Sequence, residues 1–174
     1  MPHPLRGVYA ITDENLLAGP ALLSAVEQAL RAGLALLQYR NKSAAWQCKC
    51  SEAAQLLQLC HQYRTPLLIN DDVTLCLEIG ADDVHLGQAD TKLAEARQRL
   101  GGSAIIGITC HSDLSLARRA EAAGADYVAF GRFFPSLTKP DAPLRHWRSC
   151  NRPRPYSPSR LLQLAASTPK MAVR

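Results

Sequence analysis

Two carboxylates, Asp71 and Asp90, each come shortly after a short apolar run. If the two runs are adjacent parallel strands, both carboxylates lie at the same end of the sheet and can share one hard cation. Mg²⁺ favours such a site, because proteins usually hold it with one or two carboxylates together with phosphate oxygens of the substrate. The sequence therefore predicts a magnesium site formed by these two residues.

Basic and hydroxyl-bearing residues accompany the carboxylates. Arg40 and Lys42 follow another apolar run, and Lys139 follows a later one, with Ser136 and Thr138 just before it. Guanidinium and ammonium groups donate charged hydrogen bonds to phosphate oxygens. Together with a metal, they stabilise the charge that grows on a departing diphosphate. The combination indicates metal-assisted diphosphate chemistry, whereas nucleotide hydrolysis and dinucleotide binding lack their glycine-rich motifs.

These residues must be positioned by an alternation of strands and helices. The order predicts a parallel sheet with helical crossovers, and a repeated Gly-Ala-Asp turn indicates a repeated unit. A TIM (β/α)8-type barrel is favoured over a doubly wound sheet, although periodicity does not separate them, and active sites of such barrels lie at the strand carboxyl ends. The predicted strands are 7–12, 34–40, 66–70, 83–86, 104–109 and 126–131, and the predicted helices are 20–32, 46–63, 74–79, 93–100 and 114–123.

The barrel is expected to be incomplete, with about six βα units in a domain over residues 1–143 and an irregular basic tail over 144–174. Only 161–166 has a helical pattern in that tail, and no seventh strand is evident. Open edges on the first and sixth strands predict either poor solubility or self-association, the latter as a homo-oligomer. All 15 acidic residues precede the tail, whose basic residues are Arg145, Arg148, Arg152, Arg154, Arg160, Lys170 and Arg174.

Composition limits the class of protein. The 174 residues are 47% hydrophobic and 20% charged, which predicts a soluble globular protein rather than a disordered one. No apolar run is long enough to cross a membrane, and no secretory signal is evident, so the expected location is the cytoplasm. The six cysteines are therefore predicted to be free thiols.

Structural roles compete with catalytic ones at several positions. Asp71 alone could cap the following helix, but Asp72 is the better candidate because Asp71 comes directly after a strand. His85 is expected to form a structural hydrogen bond rather than to act as a base. A nucleic-acid-binding role for the basic tail is disfavoured, because Trp147 and Tyr156 are its only stacking residues and it has no recognition motif.

Seven segments, in order over residues 8–143, resemble the thiamine phosphate synthase family. The resemblance implies a TIM barrel that joins hydroxymethylpyrimidine diphosphate to a thiazole phosphate and releases diphosphate, with Mg²⁺ as the cofactor and these small molecules as its partners. The segments are VYAITD (8–13), QYRNK (38–42), LIND (68–71), GADDVHLGQAD (80–90), IIGITCH (105–111), GADYVAFG (124–131) and FPSLTKP (134–140).

The resemblance also implies roles for individual residues. Asp71 and Asp90 would bind Mg²⁺. Three residues after the sixth strand would contact the thiazole phosphate: Ser136, Leu137 and Thr138. A larger set would hold the pyrimidine diphosphate: Gln38, Tyr39, Arg40, Asn41, Lys42, Asn70, Thr109 and Lys139.

The sequence departs from the family pattern at three places. Asn41 stands where an acid is usual, and Thr109 stands where serine is usual. Nothing after residue 143 resembles the last two strands and their Gly-Gly segment, which predicts a truncated or frame-shifted end and makes present activity uncertain. Two alternatives remain open: an isomerase resembling a thiazole tautomerase, or an inactive remnant.

Overall fold

The computed structural model describes residues 7–88, 92–111 and 113–130 and the backbone of 160–163. Its chain divides into two units, Met1–Ile106 and Gly107–Arg174, with the division inside a strand. Strands and helices alternate as β1 (Val8–Ile11), α1 (Gly19–Arg31), β2 (Leu34–Tyr39), α2 (Trp46–Tyr63), β3 (Leu67–Asn70), α3 (Val73–Glu78), β4 (Asp83–Leu86), α4 (Leu93–Leu100), β5 (Ile106–Thr109), α5 (Leu114–Ala122), β6 (Tyr127–Phe130) and β7 (Arg160–Gln163).

The first unit contains a parallel sheet of β1 to β4 in chain order. Gln38 of β2 stands opposite Leu68 of β3, and Ile69 stands opposite Val84 of β4. Leu68, Ile69 and Val84 are fully buried. Strands of a parallel sheet covered on both faces read as continuous apolar runs, which is why these segments could be predicted.

Helices of the first unit cover the sheet with narrow apolar stripes. In α1 the buried residues Leu22, Val26 and Leu30 recur every four positions, so they lie on one face. The helix α2 has the predicted bounds, and it ends where Arg64 takes a left-handed backbone conformation. Among the described residues, no helix is long and apolar enough to cross a membrane.

The second unit contains β5, β6 and β7 in parallel pairing. Gly107 on β5 stands opposite Tyr127 on β6, and the Tyr127 ring lies against the glycine so closely that any Cβ at this position would overlap it. Tyr127 is only 2% exposed. The absence of a side chain at Gly107 therefore makes room for a buried aromatic ring.

The tail differs from the prediction at β7. Arg160–Gln163 forms a strand beside β6, with Val128 opposite Leu161, so the predicted helix over 161–166 and the absence of a seventh strand were wrong. A short apolar run cannot be assigned to helix or strand by periodicity alone, and the free edge of a strand offers backbone groups that favour a strand. The predicted boundary at residue 143 lies outside the described residues.

The fold class is the predicted one. It is an α/β fold of the incomplete TIM-barrel type, in which the six parallel strands β1 to β6 alternate with five helices in the described part of the chain. Five cysteines are free, as expected, and Cys150 lies outside the described residues. Burial raises the pKa of Cys60 and of Cys76 to about 12, so these thiols stay protonated.

Candidate active site

Thr12, at the end of β1, fixes the first residue of the loop between β2 and α2. Its Oγ1 accepts a hydrogen bond from the Arg40 backbone N–H at 2.8 Å and donates to the Arg40 carbonyl oxygen at 3.3 Å. The Arg40 Nε is buried and has no hydrogen-bond partner among the described residues. A buried guanidinium N–H without an acceptor is costly, so a bound anion that accepts this hydrogen bond would stabilise the site.

Gln38 and Tyr39 point to opposite faces of β2, because side chains alternate along a strand. The buried Gln38 Nε2 donates to the hydroxyl of Tyr9 at 2.7 Å. The Tyr39 hydroxyl donates to Glu52 Oε2 in α2, also at 2.7 Å. Burial, together with the hydrogen bond to Glu52, holds the pKa of Tyr39 far above its ordinary value of 10.0, so this hydroxyl remains a donor.

Asn41 bridges the loop and the start of α2. Its Nδ2 donates to Glu52 Oε2 at 3.1 Å, and its Oδ1 accepts from the backbone N–H of Ala44 at 3.0 Å. Both polar ends of Asn41 thus have protein partners. Tyr39 and Asn41 were predicted to contact substrate, and their observed contacts are within the protein; their role in binding stays a prediction.

Glu14, in the segment between β1 and α1, holds the middle of the same loop. Its Oε2 accepts hydrogen bonds from the Lys42 N–H at 2.7 Å, the Ser43 N–H at 2.8 Å and the Ser43 hydroxyl at 2.9 Å. These hydrogen bonds, that from the Ser43 N–H first, lower the pKa of Glu14. Sequence reasoning missed Glu14, because its contacts are 28 and 29 residues away along the chain.

Asp71 lies at the carboxyl end of β3 and pairs with Lys42. Lys42 Nζ lies 3.0 Å from Asp71 Oδ2, and Asn70 Nδ2 donates to the same oxygen at 2.6 Å. The Gly87 N–H donates to Asp71 Oδ1 at 3.2 Å. The structure therefore brings together three predicted site residues from two neighbouring strand ends.

The backbone at Asp71 is in an unusual conformation. Its φ is 63°, in the left-handed region, and its N–H donates to the His85 carbonyl oxygen at 2.8 Å. Such a conformation in a residue other than glycine costs energy and is common at functional sites. His85 is buried, and its backbone oxygen has the structural role of fixing Asp71.

The next residue, Asp72, caps α3. Its Oδ1 accepts a hydrogen bond from the Leu75 N–H at 2.8 Å, which confirms that Asp72 rather than Asp71 is the cap. Adjacent carboxylates thus have separate roles. Asp71 is left to face the neighbouring loop.

A polar cleft of about 330 Å³ opens beside these residues. It lies between the β2–α2 loop and the turn from β3 to α3, and the Lys42–Asp71 pair forms part of its wall. A cleft with ammonium, amide and carboxylate groups suits a small anionic ligand. Its polar lining residues are Tyr39, Asn41, Lys42, Lys49, Asn70, Asp71, Asp72 and Thr74.

Asp71 offers the type of ligand that Mg²⁺ prefers. Its side chain is 22% exposed, so the carboxylate is reachable, and carboxylate oxygens are the ligands that this cation prefers. Within residues 7–88, 92–111 and 113–130, no three His, Cys, Asp or Glu side chains gather into a metal-binding group. A Mg²⁺ ion would thus depend on phosphate and water oxygens in addition to Asp71 and the predicted Asp90.

The remaining predicted site residues are not brought together by what the structure describes. Thr109 is half-buried at the end of β5, in the second unit. Five others lie outside the described residues: Asp90, Ser136, Leu137, Thr138 and Lys139.

Known proteins resemble this chain over most of its length. A family model described as thiamine monophosphate synthase matches residues 8–154. The thiamine-phosphate synthases of Alcanivorax borkumensis and Nitrosococcus oceani are 56% and 54% identical to it over 141 residues, or 81% of this chain and 65% of each relative. The chain thus spans just under two thirds of the length of these curated relatives.

A solved structure agrees with the sequence relatives. The thiamine phosphate pyrophosphorylase of Pyrococcus furiosus matches with a TM-score of 0.65 and 33% sequence identity. The match covers 73% of this chain and 60% of that one. Sequence and backbone comparisons point to the same group of proteins.

Proposed function

This chain belongs to the thiamine monophosphate synthase family, and we propose that it joins hydroxymethylpyrimidine diphosphate to a thiazole phosphate, with release of diphosphate. The bond between the pyrimidine methylene and the diphosphate oxygen breaks, and the thiazole nitrogen forms the new bond to that carbon. The products are thiamine phosphate and diphosphate. This makes the protein a transferase of thiamine biosynthesis.

The Lys42–Asp71 pair is the observation that best supports the proposal. An ammonium group and a carboxylate lie 3.0 Å apart at the ends of β2 and β3, where barrel enzymes bind their substrates. Lys42 donates to a diphosphate oxygen, and the buried Nε of Arg40 is a second donor. Both cations stabilise the leaving group most strongly when it carries its full charge.

Asp71 gives the site its metal preference. When bound, Mg²⁺ supplies further charge neutralisation on the diphosphate, held by Asp71 and, as the resemblance implies, by Asp90. Lys42 pairs with the Asp71 carboxylate at 3.0 Å and so helps to orient it. The left-handed backbone of Asp71 helps to orient this carboxylate, which lines the cleft.

Product formation tests the proposal. The purified chain is mixed with Mg²⁺ and both precursors, and thiamine phosphate and released diphosphate are measured by chromatography. We expect product from the wild-type chain, a large loss in Lys42→Ala, and full activity in Arg31→Ala, whose guanidinium pairs with Glu27 on α1. No product above the Lys42→Ala background would reject the activity, and thiazole isomerisation without diphosphate release would favour the tautomerase alternative.

Small-molecule substrates rather than nucleic acid or membranes are the partners that this proposal requires. Cytoplasmic location and a homo-oligomeric state stay predictions from the sequence. Sedimentation of the purified chain measures the oligomeric state directly.

A further inference from the structure

We propose that Glu14 is a positioning residue that fixes the backbone of Lys42 and Ser43 and thereby holds the Lys42 ammonium beside Asp71, an inference that rests on the proposed diphosphate site. Glu14 belongs to the segment after β1, so the proposal assigns a role in the site to a strand end that contributes no predicted ligand. It acts through Lys42 and touches no substrate.

The contacts of Glu14 are concentrated on one short piece of backbone. Its Oε2 accepts from the N–H groups of two successive residues, Lys42 and Ser43, and from the Ser43 hydroxyl, all within 2.9 Å. Hydrogen bonds to an ionised carboxylate are stronger than those between neutral groups. Three of them at one oxygen therefore determine the backbone direction of this segment.

A second side chain holds the carbonyl end of the peptide unit between Lys42 and Ser43. Lys49 Nζ donates to the Lys42 carbonyl oxygen at 3.1 Å. The Lys42 side chain itself is 56% exposed, so packing does little to restrict it. A lysine side chain has many rotamers, and fixing the backbone on both sides keeps the Lys42 ammonium within reach of Asp71.

The charge of Glu14 also needs an explanation. A carboxylate so close to a proposed anion site would repel diphosphate, and a neutral residue would be the simpler choice there. Glu14 is compensated by its three donors and by the positive charge of Arg40. Its charge is thus directed at the loop backbone, which is what a positioning role requires.

The test uses Glu14→Ala and Glu14→Gln in the full chain, with Glu27→Gln as the matched control. Glu27 is also a half-buried residue with a lowered pKa, but its Oε1 accepts from Arg31 and Tyr63, away from the loop. The first readout is hydrogen exchange of the Lys42 and Ser43 amides. The second is the dissociation constant for Mg²⁺ with inorganic diphosphate.

We expect exchange at the two amides to rise about tenfold or more in Glu14→Ala, because charged hydrogen bonds are lost. Glu14→Gln keeps an acceptor oxygen and should show a smaller rise, and Glu27→Gln should show none at these amides. Diphosphate binding should weaken about five- to tenfold in Glu14→Ala and less in Glu14→Gln. Unchanged exchange in Glu14→Ala would overturn the proposal.

A double variant separates positioning from general destabilisation. If Glu14 acts through Lys42, then Glu14→Ala should weaken diphosphate binding little further in a Lys42→Ala background, because the two effects are not additive. Full additivity would overturn the proposal. If the wild-type chain does not bind Mg²⁺ with diphosphate, the proposed function fails, and amide exchange alone decides whether Glu14 fixes the loop.

Discussion

The loop after β2 and the turn after β3 form two walls of one cleft, but different kinds of contact hold them. The loop is fixed by side chains from other elements: Thr12 and Glu14 from the first strand end, and Glu52 from α2. The turn is fixed by the side-chain cap at Asp72 and by backbone groups of and after β4, namely the His85 carbonyl and the Gly87 N–H, which both bond to Asp71.

The two walls therefore differ in the contacts that must form before their charged groups are positioned. The turn presents a carboxylate whose place is set when β4 pairs with β3. The loop presents cations whose place is set only when β1 and α2 pack around it. Variants that affect the turn and variants that affect the loop should therefore differ in whether they lose mainly turnover or mainly stability.

The largest effect is expected at the carboxylate of the turn. Asp71→Asn keeps the left-handed backbone, which asparagine tolerates, but it removes the charge that would hold Mg²⁺. Turnover should fall about 10²- to 10³-fold, as when one group that stabilises a transition state is lost. Asp72→Asn is the control, because asparagine still caps a helix. Equal losses in the two variants would contradict the separate roles of these neighbours.

The next largest effect is expected at the distant residue that holds the loop. Thr12→Val removes the hydroxyl that bonds both the N–H and the carbonyl of Arg40. Leaving these partly buried groups unpaired should lower the free energy of unfolding by about 1–3 kcal/mol, as measured by urea denaturation. Thr74→Val, at the exposed start of α3, should change it by much less. A larger loss of stability in Thr74→Val than in Thr12→Val would contradict the role of Thr12 in holding the loop.

A smaller and strictly local effect is expected at the helix cap. Asp72→Ala should lower the free energy of unfolding by about 1 kcal/mol, because the Leu75 N–H loses its acceptor. Diphosphate binding should stay near its wild-type strength, since Asp71 keeps its contacts. Circular dichroism during thermal unfolding checks the first statement, and calorimetric titration checks the second.

The smallest effect is a dependence on pH in the loop. The pKa of Glu14 is lowered from 4.5 by its hydrogen bonds, so its contribution is complete above the pKa of the unfolded chain. That contribution is lost as pH falls through the lower folded-state value. The Ser43 amide proton shift should therefore titrate with a midpoint below 4.5, and this step should vanish in Glu14→Gln. A midpoint at or above 4.5 would contradict the hydrogen-bonded role.

The contrast between local contacts and contacts distant along the chain explains which features the sequence could predict. The bounds of α2, the buried strands and the cap at Asp72 depend on patterns within a few residues. The proximity of Lys42 and Asp71 could also be predicted, because consecutive parallel strands place their carboxyl ends together.

Other features depend on contacts that no local pattern records. Glu14 reaches across 28 residues, and Glu52 meets Tyr39 and Asn41 only after α2 folds back onto the sheet. The strand β7 was missed because four residues carry too little periodicity to distinguish strand from helix. In each case the determining group is distant along the chain.

The close approach of Tyr127 to Gly107 has a consequence for mutational tolerance. A codon randomised at position 107 and selected for soluble protein should return glycine alone, because even a methyl group would occupy space already filled by the phenol. The same library at Gly102, which has open space around it, should return a broad mixture.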